Sequence, residues 1–264
     1  MLLLREKVLP ATRATGFLAI TAGFAITAEV HRGLRPTQGA ALYDAYRRKW
    51  AQTLLRSFGV RLHGAPSAPA KATGPRLVVA NHSSPLDVAI LLSIFGGEIM
   101  SRADVAHWPV IGMAAQRAGT VFVDRESRAS GAVAIRALRK RLERGQTFTV
   151  FPEGQTVLGN HVEEFRVGGF VAAKGLPVEI VPVALAYPKG TEWKNEPFGS
   201  YLLRMSQRPH TDIHVRIGDG YSATGKPREE AVRARQRVQA LLDEAVAAAG
   251  TSKAAGTSKA AGTP

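Results

Sequence analysis

The 264-residue sequence contains no cysteine, which excludes disulfides, thiolate nucleophiles and cysteine-ligated zinc. It also contains no Gly-x-Ser-x-Gly segment, the strand-to-helix turn that presents the nucleophile of many serine hydrolases. Its longest uncharged apolar stretch, residues 14–28, is shorter than the ~20 residues that a membrane span requires and is rich in threonine and glycine. After these exclusions, the classes to consider are enzymes that do not use a cysteine nucleophile and binding proteins.

Acidic side chains are scarce, because 21 Asp and Glu stand against 35 Lys and Arg and give a formal net charge of +14. The excess is concentrated in residues 1–62, where ten basic side chains are opposed only by Glu6, Glu29 and Asp44. Such a surplus indicates an anionic partner, which is nucleic acid, an anionic bilayer or a phosphorylated substrate. Charge alone does not choose among the three.

Residues 1–58 are interpreted as a basic, apolar, helical segment that associates with a membrane. Basic residues flank the apolar stretch 14–28, a pattern typical of a helix that lies in or dips into the interface. Trp50 and Phe58 are possible interfacial anchors. A signal peptide is the alternative, since a charged start precedes the apolar run.

From residue 59 to 249, strand-like and helix-like segments alternate. This order predicts an α/β domain with a layered, mostly parallel sheet flanked by helices. The segment 65–75 is a Pro/Ala/Gly linker or loop, and the repeat of TSKAAG within 250–264 predicts a disordered tail. The predicted strands are RLVVA, EIMSR, GTVFVDR, TFTVF, VEIVPVALAY and DIHVRIG, and the clearest amphipathic helices are SGAVAIRALRKRLERG and the closing helix from REEAV onward.

The segment VVANHSSPLDVAILL places His82 and Asp87 where an apolar strand gives way to a helix. Ser84, Pro85 and Asp87 match a helix start, so capping alone would explain the carboxylate but not the histidine. A carboxylate at the third helical position also reaches back to an imidazole, fixing its tautomer and leaving its other nitrogen basic. This predicts a base and its orienting acid, with the hydroxyl nucleophile supplied by the substrate.

Two further strand ends have polar residues or a glycine, which allows a ligand to approach the backbone closely. Arg125 closes GTVFVDR and is suited to a phosphate, while Glu153 and Gly154 follow TFTVFP. Taken singly, Arg125 would be a solvated charge and Glu153 a turn residue. Because sites in parallel sheets lie at the carboxyl ends of strands, their combination with His82 points to one site.

These blocks resemble the family of 1-acylglycerol-3-phosphate acyltransferases and related glycerolipid acyltransferases. NHSSPLD is similar to the family's His-x4-Asp block, GTVFVDR to its second, FPEG to its third and IVPVAL, with Pro182, to its fourth. The resemblance runs from about residue 60 to 220. It implies His82 as general base, Asp87 as the residue that orients it, and Arg125, Glu153 and Gly154 as substrate-binding residues.

The resemblance also implies a reaction. An acyl group passes from acyl-CoA or acyl-carrier protein to a lysolipid hydroxyl, with 1-acyl-sn-glycerol-3-phosphate as the first candidate acceptor and phosphatidic acid as product. No metal or further cofactor is expected. The third block departs from the family, because Gln155-Thr156-Val157 replaces Thr-Arg-Ser and a family arginine is missing. Arg102 and Arg166 are candidates to replace it, and lyso-ornithine lipid or another lysolipid is the alternative acceptor.

A nucleic-acid-binding protein is the alternative from another class, resting on charge and on RALRKRLERG. That helix keeps Ala134, Leu138 and Leu142 as a core stripe, and aromatic residues are not interleaved with the basic ones, as stacking on bases requires. The expected partners are therefore the lysolipid, the acyl donor and an anionic membrane surface, without nucleic acid. The expected location is the cytoplasmic face of the cell membrane, peripheral or monotopic.

Overall fold

The computed structural model describes residues 2–35, 39–64, 74–124, 126–194 and 196–260, with side chains over 11–35, 41–64, 74–124, 126–194 and 196–250. The helices are α1 (Leu2–Leu34), α2 (Gly39–Ser57), α3 (Leu86–Phe95), a 3₁₀ helix (Ala103–His107), α4 (Ile111–Arg117), α5 (Arg128–Glu143), α6 (Gly168–Ala173), α7 (Phe198–Ser206) and α8 (Pro227–Ala260). The strands are β1 (Val60–His63), β2 (Arg76–Ala80), β3 (Glu98–Arg102), β4 (Val121–Val123), β5 (Thr147–Val150), β6 (Glu179–Ala186), β7 (Thr211–Ile217) and β8 (Tyr221–Ser222).

The strands form one mixed sheet in the order β1-β7-β6-β2-β5-β3-β4, with β8 paired to β6. Strand β2 lies between β5 and β6 and is parallel to both, and only β7 and β8 run antiparallel to β6. All five residues of β2 are buried, as expected for a strand covered on both faces. The predicted mostly parallel sheet flanked by helices is confirmed.

Alternate residues of β2 face two separate apolar cores. Leu77 and Val79 pack with side chains of α5, α6 and α8 on one face of the sheet. Val78 and Ala80 pack with α1, α2, α3 and α7 on the other. Because successive strand residues point to opposite faces, a five-residue apolar strand joins both layers.

The N-terminal helices belong to the second of these cores. Ala51, Leu54 and Phe58 of the α2 region are buried against the sheet layer, and Phe58 also meets Phe17 of α1 edge to face. Phe58 is therefore not a membrane anchor, contrary to the sequence-based interpretation. Trp50 also faces inward, since its indole nitrogen donates to Thr21 at 3.1 Å. Residues 1–58 thus share a core with the α/β unit and do not form a separable segment.

Three of the N-terminal arginines serve as internal hydrogen-bond donors. Arg13 donates to the carbonyl of Pro209, Arg47 to that of Ala118, and Arg48 to that of Ile94, the last near the end of α3. Helix ends leave carbonyls without intrahelical partners, and guanidinium groups satisfy them well. The positive charge of residues 1–62 is therefore only partly available to an external anion.

Helix α1 and the end of α8 differ from the sequence prediction. By length and composition, Ala11–Leu34 is one helix able to cross a membrane, with 17% of its most apolar window buried. Helix α8 continues to Ala260, through most of the segment predicted to be disordered, because alanine and lysine favour helix. Residues 65–73 of the predicted linker and 261–264 of the tail lie outside the described residues.

Candidate active site

The loops that follow three parallel strands meet at one edge of the sheet. Strand β2 leads into His82, β5 into Phe151 and Glu153, and β3 ends at Arg102. Because these strands are parallel, their carboxyl ends lie on the same side. The structure therefore brings His82, Asp87, Glu153 and Gly154 together, as the sequence predicts.

His82 and Asp87 form a close pair in the turn between β2 and α3. The His82 Nδ1 lies 2.8 Å from the Asp87 Oδ2. A carboxylate only accepts, so Nδ1 donates and holds the proton of the neutral ring, and Nε2 is the basic nitrogen. The imidazole lines a cavity, whereas the Asp87 side chain is fully buried. This is the arrangement of a general base and the acid that orients it.

Asp87 also closes the helix turn, so the capping interpretation is correct too. Its Oδ2 accepts hydrogen bonds from the backbone nitrogens of Ser83 and Ser84, at 2.7 and 2.9 Å. The Ser84 hydroxyl accepts from the backbone nitrogen of Leu86 at 3.1 Å. The helix itself begins at Leu86 with Pro85 as its N-cap residue, one position later than the sequence predicts. One carboxylate thus fixes the turn and the imidazole together.

Tyr187 is a member of the site that the sequence analysis missed. Its hydroxyl donates to the Asp87 Oδ1, the oxygen that does not face His82. Burial, reinforced by the Asp87 charge, raises the pKa of Tyr187 well above its ordinary value, so the phenol stays protonated and remains a donor. Tyr187 directly follows β6, and the rule that sites lie at strand ends would have found it.

The imidazole of His82 is held against an aromatic ring. Phe151 stacks on it with ring centroids 4.1 Å apart and planes 14° from parallel. The His82 carbonyl accepts from the backbone nitrogen of Val157 at 2.7 Å, and the Ser83 carbonyl from that of Trp193 at 2.9 Å. The turn is therefore fixed on both sides, which limits the positions open to the His82 Nε2.

Glu153 supports the turn of His82 from within and does not face the cavity. Its side chain is buried, and its two oxygens accept from the backbone nitrogens of His82 and Glu163, at 2.6 and 3.0 Å. Burial raises the pKa of Glu153 from 4.5 to about 7, although both hydrogen bonds oppose the rise. This placement differs from the substrate-binding role expected for Glu153, because both carboxylate oxygens are used inside the protein.

Gly154 and Arg166 are in close contact. Gly154 has φ +74°, and a Cβ there would come within 2.6 Å of the Arg166 Nε. The missing side chain thus makes room for the guanidinium of Arg166, which lines the cavity beside His82 and Pro152. Arg166 is exposed and forms no ion pair among the described residues. Together with Arg117 and Arg128, which are also exposed and line the cavity, it is placed to meet an anionic group of a substrate.

Arg102 lines the same cavity but already has a partner. Its Nε and Nη2 donate to the two carboxylate oxygens of Asp104, at 2.9 and 3.0 Å. Both groups are largely exposed, so this pair adds little stability and is open to exchange with a ligand. Arg125 lies outside the described residues, although its neighbours Asp124 and Glu126 line the cavity.

The cavity that contains His82 has a volume of about 760 Å³. One wall is apolar and comes from α1, α2 and α7, with Phe17, Trp50 and Phe198 among its residues. The other wall comes from the strand-end loops and the helix ends near them, with the charged residues Arg102, Arg117, Asp124, Glu126, Arg128 and Arg166. Among the described side chains, no group of three or more histidine or acidic residues is arranged to hold a metal ion. The site is suited to an elongated ligand with an apolar part and a charged end.

A family model described as Acyltransferase matches residues 59–186, which include all four sequence blocks. The lyso-ornithine lipid O-acyltransferase of Pseudomonas aeruginosa is 28% identical over 237 residues, covering 87% of this chain and 90% of that protein. The enzyme of the same name from Brucella abortus is 30% identical over 196 residues, covering 65% of this chain and 73% of that protein.

The fold also has a solved counterpart. The crystal structure of the 1-acyl-sn-glycerophosphate acyltransferase from Thermotoga maritima superposes with a TM-score of 0.66 at 21% identity. The match covers 92% of this chain and 97% of the other. The similarity therefore includes the N-terminal helices as well as the sheet.

Proposed function

Since this chain belongs to the acyltransferase family, we propose that it transfers a fatty acyl group from a thioester to the free hydroxyl of a lysolipid. The observation on which this rests is the His82–Asp87 pair, which faces a partly apolar cavity. The sequence has no cysteine, and among the described side chains no serine hydroxyl is hydrogen-bonded to the His82 imidazole. A base without a protein nucleophile requires a substrate that supplies its own hydroxyl. The thioester donor, acyl-CoA or acyl-carrier protein, is a co-substrate, and the step uses no metal or further cofactor.

In the proposed reaction, His82 moves one proton. The lysolipid oxygen attacks the thioester carbonyl carbon while the His82 Nε2 takes the hydroxyl proton. The tetrahedral intermediate then collapses, the carbon–sulfur bond breaks, and the imidazolium returns the proton to the leaving thiolate. The products are the acylated lipid and the free thiol. General-base catalysis of this kind contributes roughly 10²–10⁴-fold to the rate.

Asp87 stabilises the charge that this step creates. Its carboxylate lies 2.8 Å from the His82 Nδ1 and is held by Tyr187 and by two backbone amides. The imidazolium therefore forms against a negative charge that is already oriented, so that little reorganisation is needed.

The two walls of the cavity suit the two ends of a lysolipid. The apolar side chains of α1, α2 and α7 would receive acyl chains, and the guanidinium of Arg166 would meet an anionic part of the head group. Arg102 would join it by exchanging Asp104 for the ligand, and Arg125 remains a candidate from its place in the second block. Glu153 is assigned to holding the turn rather than to the substrate.

Two acceptors fit this site, and the wall charges favour one of them. For 1-acyl-sn-glycerol-3-phosphate, the head group is a phosphate with no cation, whereas lyso-ornithine lipid has one ammonium and one carboxylate. The cavity lining combines carboxylates at Asp124 and Glu126 with the exposed guanidinium groups of Arg102, Arg117, Arg128 and Arg166. Thr156 stands where the phosphate-binding family has an arginine. Mixed charge complements a zwitterion better than a phosphate. Lyso-ornithine lipid is therefore the favoured acceptor.

Such an acceptor places the enzyme at a membrane, and we propose the cytoplasmic face of the cell membrane. Support comes from the exposed apolar side chains of α1, among them Leu18, Ile26 and Val30. An exposed apolar row beside basic residues is typical of interfacial helices.

The test is a transfer assay with purified protein in detergent micelles. Acyl-CoA is the donor, and 1-acyl-sn-glycerol-3-phosphate and lyso-ornithine lipid are compared as acceptors, with His82→Ala as the matched control. We expect acylation of lyso-ornithine lipid with the higher kcat/KM, and loss of turnover in His82→Ala at an unchanged Tm. Preference for the phosphate acceptor would reject the acceptor assignment alone. Near-normal turnover in His82→Ala would reject the mechanism.

A further inference from the structure

The basic side chains from residue 136 to residue 144, at the end of α5, fall into two groups. Arg139 and Arg141 face the protein, where Arg139 pairs with Glu143 at 2.9 Å and Arg141 pairs with Glu98. Arg136, Lys140 and Arg144 are exposed, and none has an acidic partner within 4.0 Å among the described residues. The cations that face the protein are therefore paired with carboxylates, and the cations that face solvent have no acidic partner among the described residues.

The free cations lie on one face. At 100° per residue, Arg136, Lys140 and Arg144 fall within about 80° of one another and about 160° from the core stripe of α5. Val133, which is 58% exposed, lies on the same face one turn before Arg136. These four residues are called the α5 basic face. An exposed apolar residue beside a row of unpaired cations combines the apolar contact and the polar rim of a protein interface.

The α5 basic face begins close to the active-site cavity. Arg128, in the first turn of α5, lines the cavity and is exposed. At 1.5 Å per residue, Arg136 lies about 12 Å further along the helix. A partner docked on this face would reach the cavity mouth with a flexible arm.

We propose that the α5 basic face is the docking surface for the acidic carrier protein that delivers the acyl thioester. The inference rests on the proposed function and adds the class of acyl donor. An acidic surface complements three unpaired cations, and Val133 supplies an apolar contact at the end of their row that is nearer the cavity. The carrier's phosphopantetheine arm would then enter past Arg128, whose guanidinium is suited to its phosphate.

Other anions fit this surface less well. A small anion binds in a concave site, whereas the α5 basic face is a convex, exposed helix surface. An anionic membrane would approach the exposed apolar side chains of α1, but α1 and α5 pack on opposite faces of the sheet. No aromatic side chain lies on α5 to stack with bases.

The experiment compares two donors of the same acyl group, an acyl-carrier protein and acyl-CoA, in uncharged detergent micelles. The variant is Arg136→Glu/Lys140→Glu/Arg144→Glu. Its control is Lys226→Glu/Arg228→Glu/Arg237→Glu, an equal change of charge on exposed residues that do not line the cavity. We expect the variant to raise KM for the carrier donor about tenfold or more and to lose the salt dependence of that KM. Its kcat, its KM for acyl-CoA and its Tm should stay at wild-type values.

Three results would overturn the proposal. The first is an unchanged KM for the carrier donor, and the second is an equal rise in KM for both donors. The third is the same rise in KM for the carrier donor in the control variant. Each leaves the proposed function intact, because transfer from acyl-CoA by the wild-type protein is measured in the same experiment. If the wild-type protein transferred the acyl group from neither donor, the proposed function would be rejected instead.

Discussion

The hydroxyl of Tyr187 donates to the one oxygen of Asp87 that does not face His82. Asp87 therefore has a donor on each side: His82 and two backbone amides at Oδ2, and a phenol at Oδ1. Because the carboxylate is fully buried, its orientation depends on these four hydrogen bonds. Tyr187 acts on the reaction through Asp87, so it is a positioning residue.

Tyr187→Phe removes this hydroxyl while keeping the ring. The Asp87 Oδ1 then lacks its donor, which costs about 1–3 kcal/mol of stability. We expect kcat to fall about tenfold, the equivalent of ~1.4 kcal/mol in the barrier, at an unchanged acceptor KM. Initial rates and thermal melts measure the two effects. Tyr201→Phe is the control, because its hydroxyl meets the Ser84 hydroxyl rather than Asp87. Equal kcat losses in both variants would contradict a specific role for Tyr187.

Asp87→Asn separates helix capping from catalysis. The amide oxygen can accept the three bonds now made by Oδ2, and the amide nitrogen then faces the Tyr187 hydroxyl, which can rotate to accept. The fold should therefore persist with a Tm close to that of the wild type. The negative charge opposite the imidazolium is lost, so we expect kcat to fall by about 100-fold or more. Wild-type turnover would show that Asp87 serves the helix alone.

The sequence predicted the central strands and the His82–Asp87 pair because both depend on local chemistry. An unbroken apolar run such as RLVVA has one stable environment, the middle of a covered sheet, and the structure places β2 there. The capping pattern of Ser84 and Asp87 likewise fixes its turn within a few residues. Such short-range signals are read directly from the chain.

Several failures involve partners that are distant in sequence. Glu153 was assigned to a substrate because it follows a strand in the block FPEG, yet its partners are the amides of His82 and Glu163. Arg47 was counted as a surface charge but bonds to the carbonyl of Ala118. Phe58 resembles an interfacial anchor and is buried against Phe17. A polar or aromatic residue does not reveal which distant element will cover it.

Glu153 makes the stability of the fold depend on pH near neutrality. Its pKa is about 7 in the folded protein and lies near 4.5 when unfolded, so the folded state binds the extra proton. This contribution to stability is therefore complete below about pH 4.5 and is lost as the pH rises through about 7. Glu153→Gln cannot titrate. We expect the Tm of the wild type, relative to that of Glu153→Gln, to decrease between about pH 5.5 and pH 8.5.

The control for Glu153→Gln is Glu244→Gln. Glu244 is exposed on α8 and its side chain forms no ion pair among the described residues, so this variant should follow the wild type across the pH range. A constant difference in Tm between the wild type and Glu153→Gln would show that Glu153 keeps its ordinary ionisation.

The last prediction concerns the membrane face of α1. Ile26 and Val30, 58% and 59% exposed, lie one turn apart on this helix, and Leu34 continues the row. Deleting residues 1–58 would not test this surface, because it also removes Leu54 and Phe58 from the core. Ile26→Gln/Val30→Gln changes the surface alone. Since burying one such side chain is worth about 1.5–3 kcal/mol, we expect binding to anionic vesicles to weaken at least about tenfold.

Co-sedimentation with anionic vesicles at low and high salt measures this binding. Leu158→Gln/Val232→Gln is a control that changes two side chains of similar exposure. Equal sedimentation of the α1 variant and the wild type at high salt would place the membrane contact elsewhere on the protein.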